Sequence, residues 1–234
     1  MSKYCYKITK HSEQLPDCQT EMDVQLVVSK KDDIYHSYEL YSDDMSIFFE
    51  ELNNNHPVNI ILTGFLQEHI EAILPYLKDV RALCLFKCQK LDSFDFVSKC
   101  KALEYIEIYW NKKATELWDV KENKQLRTLI ITSCNKLNDF ALLKKSSIQH
   151  LEIWGCNYLS SFSPKAKIED LSVFQTMPNL EVLRLAIIKN DNREKDLADL
   201  SKLTGLKEFC IQDGYFSPEQ LDRLKEALKT TIIE

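Results

Sequence analysis

The sequence predicts an α/β fold, a solenoid of stacked repeats with a parallel β-sheet on its concave face. Three segments support this prediction; they begin at positions 103, 126 and 148 and read LEYIEIYWN, LRTLIITSC and IQHLEIWGC. Each has leucine or isoleucine at its first, fourth and sixth positions and asparagine or cysteine at its ninth. Looser copies begin at positions 57, 80, 180 and 206, so that seven units follow one another, most of them 22 or 23 residues apart. Self-similarity at a nearly fixed period is typical of repeat proteins.

Each of these segments is predicted to form a strand with two different faces. Side chains alternate between the faces of a strand, so the fourth and sixth positions point inward and the third, fifth and seventh point outward. A single unit cannot bury its own apolar face, whereas stacked units share one continuous core. We therefore expect the outward positions of successive units to form three ladders across the sheet.

The segments resemble the strand signature of the leucine-rich-repeat family over residues 57–216. This resemblance implies a curved coil whose concave side is lined by the sheet. It also implies that the ninth residue, here Asn111, Cys134 or Cys156, lies inside and satisfies backbone groups of the loop that follows it. Finally, it implies recognition of another macromolecule by a preformed surface, with specificity in the outward ladders.

Residues 1–56 precede the repeats and are predicted to form a β-rich N-terminal cap that covers the open end of the coil. A separate recognition module is the alternative. Alternating apolar residues predict two or three antiparallel strands there, near positions 4–8, 24–28 and 38–40. A short helix through Phe48 is expected to follow, with Asp43 or Asp44 as its N-cap.

Three further segments are predicted between and after the repeats. Apolar residues at helical spacing predict a helix over 67–77. The long fifth unit carries an insertion, roughly 160–169, which we expect to be a surface loop. Residues 217–234 are predicted to form a C-terminal helical cap, because Ser217 and Gln220 have the spacing of a capping box and Pro218 occupies the first helical position.

Charge and hydropathy narrow the possible partners. The chain has 30 basic and 36 acidic residues and a net charge of −6, which argues against a surface that follows nucleic-acid phosphates. No apolar run approaches the roughly 20 residues that span a membrane. The first residues, MSKYCYKITKHSEQ, lack the apolar core of a secretory signal. We therefore expect a cytoplasmic protein that binds neither nucleic acid nor membrane.

Cysteine, histidine and glycine usage predicts no metal, cofactor or disulfide. Three of the eight cysteines fall in the ninth position of a repeat, and we expect reduced thiols that act as small buried apolar groups. The histidines show no spacing typical of metal ligands. With four glycines in the whole chain, the sequence contains no glycine-rich phosphate loop.

The outward ladders contain large aromatic side chains together with a few charged ones, and aromatic and charged residues of this kind are typical of binding hot spots. We expect the concave centre to expose them as a partner-binding site. The alternative is that the N-terminal segment or the insertion folds over the rings and makes them ordinary core. The candidate site residues are Phe86, Tyr105, Glu107, Tyr109, Trp110, His150, Glu152, Trp154 and Arg184.

These residues favour a binding protein over an enzyme. Glu107 and Glu152 should lie two strands apart, about 10 Å between backbones, which is wide for the paired carboxyl groups of a glycosidase. The predicted function is a non-enzymatic protein–protein interaction on the concave face. An inhibitor-type cytosolic immunity protein that neutralises a toxin is an alternative, and a carbohydrate-binding accessory protein is a third possibility.

Overall fold

The computed structural model describes residues 8–11, 35–39, 45–134, 136–155, 166–168, 171–186, 188–189, 200–211 and 217–233. Its main feature is a ten-stranded sheet in which β1 pairs antiparallel with β2 and all later neighbours pair parallel. The strands of this sheet are β1 (Ile8–His11), β2 (Tyr35–Glu39), β3 (Asn59–Thr63), β4 (Ala82–Phe86), β5 (Tyr105–Tyr109), β6 (Thr128–Thr132), β7 (His150–Trp154), β9 (Val182–Ala186), β11 (Glu208–Ile211) and β12 (Ile232–Ile233). A separate parallel pair consists of β8 (Ala166–Lys167) and β10 (Ile188–Lys189).

The register between the strands is the one that the repeat pattern predicts. Tyr105 pairs with Thr128 and Thr128 with His150, so the third positions of successive units lie side by side. The inward positions, for example Ile106 and Leu129, are fully buried and belong to one core that extends from β3 to β11. The parallel sheet and the assignment of its two faces are therefore confirmed.

Short helical segments return the chain from one strand to the next and cover the core. The first return segment contains α2 (Gln67–Ile73) followed by a 3-10 turn, which confirms the helix expected there. The return segments from β4 to β9 are about as long as the first or longer, but their described helical parts are 3-10 turns. These turns are Asp95–Lys99, Val120–Glu122, Ala141–Leu143 and Leu171–Thr176.

The ninth position of the repeat satisfies loop backbone groups, as the family resemblance implies. The amide of Asn111 donates to the carbonyls of Cys88 and Leu91 and accepts from the amides of Lys113 and Ala114, each at 2.9 Å. Cys88 has a smaller version of this role, because its thiol lies 3.3 Å from the carbonyl of Leu62. Burial raises the pKa of the Cys88 thiol to about 12, so the thiol stays protonated and can donate.

Asn123 has the same role on the return side of the sheet, and the sequence pattern did not predict it. Its amide donates to the carbonyls of Val97 and Cys100 and accepts from the indole of Trp118 at 2.7 Å. Trp118 is fully buried. One side chain thus joins two successive return segments.

The eighth position forces the chain to turn at the end of each strand. Its amide donates to the last carbonyl of the next strand, as Lys87 does to Tyr109 at 2.9 Å. The backbone then takes a left-handed conformation that points the ninth residue inward. Only glycine adopts this conformation without strain. The residues with positive φ in four successive units are Gly64, Lys87, Trp110 and Ser133.

The segment before the repeats differs in part from its prediction. The antiparallel pairing of β1 with β2 agrees with the expected strands, but β2 also pairs parallel with β3 and so continues the sheet of the repeats. Helix α1 (Ser46–Asn55) begins after Met45, so the expectation that Asp43 or Asp44 caps it is wrong. Positions 4–7, 24–28 and 40, where the other strand residues were expected, lie outside the described residues.

The helix predicted near the end of the chain is present. Helix α3 (Pro218–Ala227) begins with a complete capping box, since the amide of Gln220 donates to the Ser217 hydroxyl and the amide of Ser217 to the Gln220 side chain. After it, β12 extends the sheet next to β11. The described part of the insertion, residues 166–168, differs from the expected surface loop, because Ala166–Lys167 form β8 and Ile168 is buried in the core; residues 160–165 and 169 lie outside the described residues.

Replacing Asn111 by alanine should lower the free energy of unfolding by about 3 kcal/mol, because buried backbone groups lose their partners. Asn111→Cys should lose less, since cysteine occupies the same position at Cys88 and Cys134. The exposed Asn53 provides a control, and Asn53→Ala should change little. Urea unfolding measures all three, and an equal loss for Ala and Cys would contradict this role for the ninth position.

Replacing Ser133 by glycine should raise the free energy of unfolding by about 0.5 kcal/mol, because the release of left-handed strain exceeds the added freedom of the unfolded chain. The control is Thr128→Gly in the extended part of β6. This substitution should lower the free energy of unfolding by about 1 kcal/mol. Thermal unfolding of both variants measures the contrast. Destabilisation of Ser133→Gly would show that the turn is not strained.

Candidate functional site

Eight of the nine predicted site residues lie on one face of the sheet, which we call the ladder face. It is formed by the first, third and fifth residues of each strand from β3 to β9 within the ten-stranded sheet. The ninth residue, Trp110, directly follows β5 and stands at the edge of this face in the left-handed turn. The register therefore brings the predicted residues together.

The ladder face has a buried floor and a partly exposed rim. Tyr105 and Glu107 are each 1% exposed, Tyr109 and Glu152 4%. The expectation that these four side chains stand in solvent is therefore wrong, because neighbouring side chains on a sheet with a close strand spacing enclose one another. The rim residues are half-buried: Phe86, Trp110, His150, Trp154 and Arg184.

Apolar side chains form a second, smaller cluster on the floor. Ile61, Ala82, Cys84 and Ile130 pack there with Tyr105, and Phe86 lies against them. The sequence analysis did not include the first four among the site residues. The signal was present, because Ile61, Cys84 and Ile130 occupy the fifth position of their units, as Glu107 and Glu152 do in theirs.

Aromatic rings and lysines form one end of the rim. The rings of Phe86 and Tyr109 are stacked, with centroids 4.9 Å apart and an interplanar angle of 18°, and Trp110 meets Tyr109 edge-on at 6.4 Å. The ammonium group of Lys87 lies over Phe86 at 4.9 Å, and that of Lys112 over Trp110 at 5.1 Å. Neither lysine was among the predicted site residues, since both lie in the segments that follow β4 and β5. This end of the rim thus combines flat apolar surface with positive charge.

Glu152 is the centre of a hydrogen-bond network at the other end. Its carboxylate lies 2.6 Å from Nε2 of His150, accepts from Nε1 of Trp154 at 2.8 Å, and lies 3.3 Å from a terminal nitrogen of Arg184. Nε of Arg184 in turn donates to Glu208 at 2.7 Å. Burial alone would raise the pKa of Glu152, but these donors and the charges of His150 and Arg184 outweigh it and lower the pKa. The network therefore holds an ionised carboxylate and fixes the side chains around it.

Glu107 has a different environment, although it lies only two strands away. Its neighbours across the sheet are Cys84 and Ile130, and the Tyr105 hydroxyl donates to its carboxyl group at 3.3 Å. Burial raises the pKa of Glu107 to about 7, the Tyr105 hydrogen bond opposes this shift, and the negative charge of Glu152 adds to it. Among the described residues no cation pairs with Glu107. Near neutral pH this carboxyl group is therefore poised between its neutral and charged forms.

Tyr105 shares this environment. Burial raises the pKa of its phenol well above the ordinary value, and the charge of Glu107 adds to that effect. The hydroxyl therefore stays protonated and acts as a donor. What the face can do chemically is offer hydrogen bonds, charge and aromatic surface at fixed positions. No group of three His, Cys, Asp or Glu side chains in the described part of the chain could hold a metal ion.

A cleft of about 360 Å³ lies elsewhere, among the return segments. Its lining includes Asn138, Phe140, Lys144 and Val173. Phe140 and Val173 belong to the main core, and the cleft shares no lining residue with the ladder face. We therefore take the ladder face, with its hydrogen-bonded charges, as the candidate site.

Comparisons with known proteins give little beyond this geometry. No family model and no curated protein matches the sequence. Among solved structures, an internalin (inlF) from Listeria monocytogenes str. 4b F2365 is similar, with a TM-score of 0.47, 15% identity, and coverage of 78% of this chain and 55% of that one. The chain thus spans about half the length of that protein, and a likeness at this level carries no information about function. None of the described helices is long and apolar enough to span a membrane.

The buried Glu107 carboxyl group should make stability depend on pH. Its pKa in the folded chain, about 7, exceeds the ordinary 4.5, so its neutral form stabilises the fold fully below pH 4.5 and this contribution is lost as the pH rises to 7. Glu107→Gln stays neutral at every pH. The free energy of unfolding of Glu107→Gln minus that of the wild type should therefore be larger at pH 8 than at pH 5, by up to about 3 kcal/mol.

Urea unfolding of the wild type and the variant at both pH values measures this difference. Tyr105→Phe provides a second check, because loss of the hydroxyl donor raises the pKa of Glu107 further and moves the pH dependence upward. A free-energy difference between Glu107→Gln and the wild type that is the same at both pH values would contradict the described environment.

Proposed function

We propose that the chain is a leucine-rich-repeat solenoid with capped ends that binds a protein partner on its ladder face and catalyses no reaction. The observation that carries this proposal is the rim. Its half-buried side chains lie in or directly after strands between β4 and β9, around a hydrogen-bonded floor. Together they form a surface of aromatic and charged groups: Phe86, Trp110, His150, Trp154 and Arg184.

Two physical properties support protein binding by this rim. Tryptophan, tyrosine and arginine provide most of the binding energy in protein interfaces. The rim side chains are also held before any partner arrives, since Trp154 is bonded to Glu152, and Arg184 to both Glu152 and Glu208. Side chains that are already ordered lose little conformational entropy on binding.

Two biological roles fit such a surface. An adaptor would bring several proteins together, whereas an inhibitor-type immunity protein would hold one toxin in a 1:1 complex. We infer a cytosolic location for either role. Cys88, Cys100 and Cys134 are free, buried thiols, which agrees with a reducing compartment.

Affinity capture from the native host, with the product of the neighbouring reading frame included, tests the function. Trp154→Ala should weaken binding of the captured protein by roughly 30-fold, the effect of removing a hot-spot residue, and leave the melting temperature within a few degrees. The matched control is Tyr76→Ala, which removes a half-buried ring from the return side, where it stacks on Phe49. This control should bind like the wild type.

The pattern of partners separates the roles. One toxic partner in a 1:1 complex supports the inhibitor, and several unrelated partners support the adaptor. Binding that is lost in Tyr76→Ala but kept in Trp154→Ala would place the partner on the return side and overturn the proposal. Affinity for glycans with no protein partner would overturn it as well and favour a carbohydrate-binding role.

A further inference from the structure

The floor of the ladder face contains a carboxyl group whose charge is not balanced. Among the described residues, His150 and Arg184 are bonded to Glu152, whereas the ammonium groups of Lys87 and Lys112 lie over the rings of Phe86 and Trp110. Glu107 lies on the far side of Ile130 from Glu152, within the second apolar cluster, and in the described part of the chain it forms no ion pair. A buried, ionised carboxylate without a counter-charge costs several kcal/mol, so a cation that reached it would be bound favourably.

A second, independent observation lies on the neighbouring strand, at Thr132, which is diagonal to Glu107 in the register. Thr132 is 4% exposed, and its hydroxyl oxygen has no hydrogen-bond partner among the described residues. Its side chain shares the ladder face with Ile130, because Leu129 and Ile131 belong to the main core. Thr132 pairs with Tyr109 on one side and Trp154 on the other, so two aromatic residues flank it on the adjacent strands. A buried hydroxyl without a partner is expensive unless a ligand satisfies it.

The shape and chemistry of this floor fit one kind of ligand group. Glu107 is 1% and Thr132 4% exposed, so a ligand group reaches them only when half-buried side chains of the rim move aside, and a long, narrow side chain requires the smallest movement. Beside them stand aromatic rings, on which a planar cation can stack. A guanidinium group has five donors in one plane, pairs with a carboxylate through two hydrogen bonds, and stacks on rings, whereas an ammonium group does not stack in this way.

We propose that the ladder face takes an arginine side chain of the protein partner, with its guanidinium group paired to Glu107, donating to the Thr132 hydroxyl, and stacked beside Tyr109 and Trp154. This inference rests on the proposed function and specifies the chemistry of the partner. Glu152 does not pair with the incoming group, because its oxygens are already bonded; it adds negative potential that attracts the cation.

The test uses a short probe instead of the unidentified partner. The probe is an acetylated, amidated heptapeptide of glycine and serine with one central arginine, and matched peptides carry citrulline or lysine at that position. Methyl NMR of the full chain reports binding through Ile130, which pairs with both Glu107 and Glu152. Ile106 is the reference methyl, because it lies in the main core on the other face of β5.

The arginine peptide should shift the Ile130 methyl signal in a saturable manner and leave that of Ile106 unchanged. The citrulline peptide, which has the same shape without the charge, should bind at least about tenfold more weakly, and the lysine peptide about threefold more weakly. Glu107→Gln should weaken binding of the arginine peptide by about tenfold, and the isosteric Thr132→Val should weaken it by about threefold. The matched acidic control, Glu122→Gln on the return side, should bind like the wild type.

Equal binding of the arginine and citrulline peptides, or of the arginine and lysine peptides, would overturn the proposal, and so would unchanged affinity in both Glu107→Gln and Thr132→Val. Thr132→Val keeps the volume of the side chain, so a folding defect in one variant leaves the other informative. If the arginine peptide fails to bind while a captured protein still depends on Trp154, the arginine inference is wrong and the proposed function stands.

Discussion

The parallel register of β3 to β7 is the constraint on which the rest of this structure depends. Because each strand pairs with the next at equivalent positions, inward leucines and isoleucines meet in one core and outward residues meet in ladders. A shift of one residue would move every side chain to the opposite face. The turn at the eighth position and the bonded ninth residue, as at Trp110 and Asn111, maintain the register by ending each strand at the same place.

The same register determines the electrostatics of the ladder face. Glu107 and Glu152 occupy equivalent positions on β5 and β7, yet burial raises the pKa of Glu107, whereas bonded donors lower that of Glu152. The difference comes from neighbours on adjacent strands: Cys84 and Ile130 flank Glu107, whereas Arg184 lies next to Glu152. One surface therefore contains a satisfied carboxylate and an unsatisfied one.

The sequence predicted the features that follow from periodicity and could not predict those that depend on particular contacts. The strands and their faces follow from a repeating pattern, because each unit has the same environment, and the role of Asn111 is what the family resemblance implied. The burial of Tyr105 and Glu107 depends on how neighbours enclose them, which a list of outward positions does not contain. The roles of Trp118 and Asn123 arise in return segments, where the strand pattern is absent. Met45 takes the N-cap position, which side-chain chemistry favours for aspartate.

The central claim is that the ladder face is the surface at which a protein partner binds. A crystal structure of the chain with its captured partner tests this claim most directly. The account predicts a partner seated over β4 to β9, in contact with Trp110 and Trp154, with one of its basic side chains within 4 Å of the Glu107 carboxyl group. A partner seated on the return segments, with the ladder face left open to solvent, would contradict it.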